Sequence, residues 1–174
     1  MARTGRTRTR EAVLVVLIGI AAASTATAET DLPRPIRQAL LLLGWLSNET
    51  PRIEVVTSRP PDASPLAAAW VRFDDGGCAM PVIYVSAGGH VYRDAERGDY
   101  RAQIELAGIL AHERWHILHG RGEVGAYNAQ LSIMEYLHAG SLRLTEVRKA
   151  LRQAEQQQKP DGRNGSAEAH CGPK

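Results

Sequence analysis

Residues His112 to Tyr127 read HERWHILHGRGEVGAY. His112 and His116 stand four apart, and Glu113 directly follows the first. On an α-helix, residues four apart lie on one face, one turn above another. Two imidazoles placed this way can share one metal ion, and tetrahedral zinc accepts nitrogen at about 2.0–2.1 Å. Glu113 sits to the side of that stripe, where a carboxylate can act as general base on water at the metal. The spacing asks for a helix through this stretch and for a fold that buries most of it.

A zinc site that does chemistry has three protein ligands and an open position. Three residues compete for the third place. His119 lies on the same stripe, but roughly 4–5 Å further along the axis than His116, on the wrong side of the ion. His90 lies in a loop after a strand and has no spacing in its favour. Glu123 is the strongest candidate. A straight helix would carry it about 10 Å past His116, so it reaches the ion only if the chain turns back. Gly120 and Gly122 stand where that reversal is needed, because glycine tolerates positive φ. The following helix would then run antiparallel to the first, with Glu123 near its start. Tyr127 and Gln130, four and seven residues beyond Glu123, share its face. Tyr127 either steadies negative charge at the site or packs the two helices together. Gln130 is a candidate partner behind a ligand. Glu105 reads as structural or solvated, and Trp115 and Ile117 as core.

The flanking sequence supplies the rest of a fold. Asp99 is placed to cap a strongly apolar helix from about Tyr100 to His119, and Gly120 to end it. A further helix follows from about Glu123 to His138, and an amphipathic one from about Thr145 to Gln157. Upstream, Ile36 to Leu46 (IRQALLLLGWL) reads as a helix. Arg52 to Ser58, Ala68 to Asp74 and Met80 to Ala87 read as strands, with Pro81 suggesting an edge. Asp94 to Asp99 reads as loop. Strands and helices segregated along the chain suggest an α+β fold.

The two ends read differently. Arg3, Arg6, Arg8 and Arg10 precede an apolar run from Ala12 to Ala23, and Ala26-Thr27-Ala28 supplies small residues for a signal peptidase. Residues 1–28 are therefore expected to be a cleaved signal peptide, 29–158 the folded domain, and 159–174 a polar tail. The mature chain would be periplasmic or secreted, without a stable membrane anchor. The four arginines and Glu11 carry +3, so the formal +2 of the whole chain becomes about −1 after cleavage. With one Phe and no basic-aromatic stripe, nothing points to nucleic acid. Cys78 and Cys171 are the two cysteines, an even pair that suggests a disulfide in an exported protein.

The central stretch resembles the gluzincin branch of the zincin-like zinc metallopeptidases, in a short-spaced form. The matching residues are His112-Glu113-x-x-His116 and then Glu123-x-x-Ala126-Tyr127-x-x-Gln130. Compact bacterial metallopeptidases carry a similar glutamate followed by Ala-Tyr and Gln. The resemblance covers about Leu106 to Leu137, and its gap before Glu123 is shorter than in larger gluzincins. It implies a small zincin-like domain whose short, mainly antiparallel sheet packs on the central helix. It implies one Zn2+ on His112, His116 and Glu123, Glu113 as catalytic base with Tyr127 beside it, and a peptide or protein substrate. It also implies an edge strand that pairs with extended substrate backbone, and Val82 to Ser86 is either that edge or an ordinary packed strand. The alternative is a non-catalytic envelope protein with a structural or degenerate zinc site.

Overall fold

The computed structural model describes residues 32–45, 50–60 and 67–158. The expected signal peptide, the polar tail and Cys171, the expected partner of Cys78, lie outside the described residues. Among those described, the elements are α1 (Arg34–Leu43), β1 (Arg52–Val56), β2 (Ala69–Trp70), β3 (Val82–Ser86), α2 (His90–Glu96), α3 (Tyr100–His119), α4 (Glu123–Tyr136) and α5 (Ser141–Gln158). The domain is a small α+β fold. No described helix is long and apolar enough to cross a membrane.

The central helix α3 has the boundaries its end residues dictate. The Asp99 carboxylate accepts from the backbone N–H groups of Arg101 and Ala102, satisfying two donors that the first turn leaves open. Its buried residues lie all round rather than on one stripe: Ile104, Leu106, Ala107, Leu110 and Ala111 on one side, Ala102, His112, Glu113 and His116 on the other. A helix buried on every side belongs in the middle. Here α1, α2, α4, β2 and β3 all pack against it. Leu106 and Leu110 join Ile36 and Leu40 of α1 and Ile83 and Val85 of β3 in one core.

The sheet corrects the expectation of a mainly antiparallel one. Its order is β1-β3-β2. The long pairing, Arg52↔Val82 through Val56↔Ser86, is parallel. Only Ala69↔Val85 and Trp70↔Tyr84 pair antiparallel. β3 is therefore the central strand and not an edge. Its near-continuous apolar run explains the placement, since Ile83 and Val85 are completely buried and such a strand is covered by neighbours. Pro81 precedes β3 and takes no N–H from its ladder.

The segment expected as one strand from Ala68 to Asp74 pairs only at Ala69–Trp70, with an isolated bridge Phe73↔Ala79 further on. Between them the chain stays extended and then turns. Asp74 Oδ1 accepts the Cys78 N–H at 2.9 Å, and Gly77, at φ 80°, occupies the left-handed region. The outer side of β2 is thus a free edge among the described residues. A second correction concerns Asp94 to Asp99, read as loop: His90–Glu96 is helical, burying Val91, Tyr92 and Ala95 against the core. A helix of two turns is too short for its period to stand out from sequence.

The reversal after α3 falls on Gly120, at φ 87° and ψ −150°, a conformation open essentially to glycine alone. Gly122 has an ordinary negative φ, contrary to the role expected of it. Its need for glycine is close approach: a Cβ there would meet Trp115 Cη2 at 2.9 Å. At Gly125 the clash would be worse, 2.1 Å from Trp115 Cζ2. Further along, Gly108 abuts Met134 and Gln130. Residues late in α3 thus meet residues early in α4, and earlier ones meet later ones, so the two helices run antiparallel. α5 closes the outer face through Val147, and Arg143 reaches back to Glu105 of α3 at 3.1 Å.

Candidate metal centre

His112 and His116 emerge from the buried side of α3, and Glu123 comes back to them from the first turn of α4. The two Nε2 atoms lie 3.2 Å apart. The Glu123 carboxylate places one oxygen 3.6 Å from His112 Nε2 and the other 3.6 Å from His116 Nε2. A tetrahedron with bonds of 2.0–2.1 Å separates its corners by about 3.3–3.4 Å. The three spacings bracket that value, and no other group of three His, Cys, Asp or Glu among the described residues converges this way.

The protonation pattern suits a cation. His116 Nδ1 lies 2.8 Å from the Gly120 carbonyl oxygen. In the neutral ring, Nδ1–H donates to that oxygen and Nε2 keeps its lone pair. The His112 ring is held neutral, its pKa pushed down to about 3 by burial and then by His116, with Gln130 acting in the opposite sense. His112 Nδ1 is buried, and Gln130 of α4 lies beside the ring. Two ring nitrogens facing each other opposite a carboxylate form a set of donors that converge on one place. A divalent ion fits that set.

Glu113 is buried beside the ligands but is not one of them. Its pKa is pushed up to about 8, first by burial and then by the Glu123 carboxylate, while the Val71 backbone N–H opposes the shift. Tyr127 stands edge-on to the His112 ring, centroids 4.7 Å apart. Its hydroxyl is also raised above the usual tyrosine range, by burial, Glu123 and Glu113 in that order.

These groups line one side of a cleft of about 930 Å³. The opposite wall is the extended run 67–73, containing β2. The Glu123 side chain is 52% exposed, so the cleft reaches the candidate ion from that side. The edge beside the site is therefore β2 and not β3, which corrects the expectation for Val82 to Ser86.

His119 stays outside the cluster, exposed and packed on Trp115 at 4.8 Å. His90, at the start of α2, lines the cleft but does not join the converging group. Glu105 lines the far end, paired with Arg143. Sequence reasoning missed Val71, Phe73 and Arg121. Phe73 stands edge-on to His116 at 5.8 Å, and the Arg121 guanidinium lies over the Phe73 ring at 4.9 Å. No local pattern links Val71 and Phe73 to the histidines, whereas Arg121 follows directly on Gly120 in the turn after α3.

No protein family, curated protein or solved structure matches this chain.

Proposed function

We propose that this chain is a zinc-dependent peptidase of the small zincin-like kind, exported to the periplasm or beyond. The observation that carries the reading is the meeting of His112 Nε2, His116 Nε2 and the Glu123 carboxylate at spacings of 3.2 and 3.6 Å, with an open cleft on one side. Structural zinc sites are closed by four protein ligands, whereas sites that do chemistry keep a position free. The open side favours the catalytic reading over a purely structural one.

Zinc held by this set would acidify water at the open position and polarise a scissile carbonyl. The protein's own groups do the rest. Glu113, its carboxyl group against the Val71 N–H, accepts a proton from the attacking water and passes it to the departing amine. The nearby cation would draw the Glu113 pKa down from the high value set by burial, leaving the carboxylate ready to accept. Tyr127 is placed to donate a hydrogen bond toward the oxygen that gains charge. The free edge of β2 offers backbone groups to an extended peptide lying along the cleft, fixing the bond against the site.

The test is metal content and turnover on the mature protein. One zinc per chain and cleavage of unstructured peptides are expected, with Glu113→Gln at least about 100-fold slower while retaining zinc, as for loss of a general base. A protein without zinc, or a Glu113→Gln variant as active as wild type, would sink the proposal.

A further inference from the structure

The charged side chains around the cleft are unevenly distributed. At the α2 end, Glu105 is already compensated by Arg143 at 3.1 Å. Arg72 and Arg121 also line the cleft, and both are exposed. Neither has an ion-pair partner within 4.0 Å among the described residues. Glu123 is two residues from Arg121 but is turned to the histidines.

Arg121 is not a loose surface arginine. It follows directly on Gly120, which holds a positive φ, and its guanidinium carbon lies over the Phe73 ring, 4.9 Å from the centroid. Its Nε would lie 3.8 Å from a Cβ at Gly77, so the hairpin turn flanks it as well. A guanidinium held over a ring by a cation–π contact still has N–H donors to offer a planar oxyanion. Phe73 in turn touches His116. The two centroid spacings, 4.9 and 5.8 Å, put the guanidinium at most about 10.7 Å from the His116 ring. An extended peptide rises about 3.3 Å per residue, so this is within about three residues of the reacting bond.

We infer that Arg121, held over Phe73 in a cleft that Arg72 also lines, is a carboxylate-binding subsite that selects peptides bearing an acidic group within about three residues of the cleaved bond. The carboxylate is either an Asp or Glu side chain or the peptide's own C-terminus. A bidentate pair with Arg121 accounts for the geometry, and Arg72 adds charge without a fixed direction. The inference rests on the peptidase reading for its substrate, but its test does not depend on turnover.

The measurement is calorimetric binding to the zinc-loaded Glu113→Gln protein, which keeps the ligands while removing the base. The probes are hexapeptides with Glu or Gln at successive positions, each made with a free C-terminal carboxylate and as the amide. At least about tenfold tighter binding of the carboxylate-bearing peptides is expected, the size of one charge-assisted hydrogen bond. The preference should weaken with salt and collapse in Glu113→Gln/Arg121→Gln, with Arg121→Lys retaining part of it. Sensitivity to the terminal carboxylate alone identifies the C-terminus as the ligand, and sensitivity to Glu over Gln identifies the side chain. Equal affinity for all the peptides, no binding at all, or an unchanged preference after Arg121→Gln overturns the inference. A wild-type protein that discriminates but does not hydrolyse overturns the peptidase reading alone.

Discussion

Glu113 combines two requirements that pull in opposite directions. Burial, and then the Glu123 carboxylate, raises its pKa to about 8, so without metal it folds in the neutral form. The folded pKa lies above the ordinary glutamate value of 4.5. The stabilising contribution is therefore full below that value and is lost as pH rises toward 8. His112 runs the other way. Its folded pKa of about 3 is below the ordinary 6.5, so its contribution is present above 6.5 and lost as pH falls toward 3. Glutamine has the shape of the neutral acid and cannot ionise. In chelator, the melting temperature of Glu113→Gln minus that of wild type is expected to grow from pH 5 to pH 8. A difference that stays level over that range would show that Glu113 is not held protonated. Glu113→Gln is thus expected to make the metal-free protein more tolerant of alkaline conditions.

At the scale of elements, the site depends on how closely α3 and α4 approach. Glu123 reaches the histidines because Gly120 reverses the chain and because Gly122 and Gly125 let α4 lie on the Trp115 indole. Gly125→Ala puts a methyl group into that ring, at a cost of about 1–3 kcal/mol for overpacking. The displacement acts on the turn of α4 that carries Glu123, so zinc affinity should fall along with stability. Trp115→Leu in the same chain should recover part of both, as read by thermal unfolding and zinc titration. Full zinc affinity in Gly125→Ala would separate the helix contact from the site. The Asp99 cap, the ends of α3 and the return of Glu123 were legible because each depends on residues near in sequence. The tight fit of Gly125 on Trp115 was not, since a glycine inside a helix carries no sign of what it faces. Nor was α2, where two turns give too little periodicity, nor the short pairing of β2, where β-branched residues and alternation cannot show which neighbours the fold supplies.

Across the whole molecule, the ligands and the opposite wall come from different kinds of contact. Helix order and the α+β class followed from the sequence pattern. The parallel β1–β3 pairing did not, because strand direction is set by how the chain crosses between strands and not by their composition. With it went the identity of the edge at the site, since placing β3 in the centre leaves β2 as the wall. Phe73 meets His116, and Val71 meets Glu113, only after that arrangement is complete.

The antiparallel packing of α3 on α4 also sets an order of events as the chain folds. All three candidate ligands lie between His112 and Glu123, so joining them closes one short loop. Pairing β1 with β3 instead joins residues about thirty apart, Arg52 with Val82, and costs more chain entropy before any contact repays it. The helical hairpin should therefore assemble early and the sheet late. If so, zinc present during refolding will speed the folding step itself, and not merely slow unfolding, in stopped-flow traces with and without the ion. An effect confined to the unfolding rate would mean that the hairpin closes only after the sheet. On the expected order, the newly made chain would bring its three candidate ligands together before the cleft beside them exists.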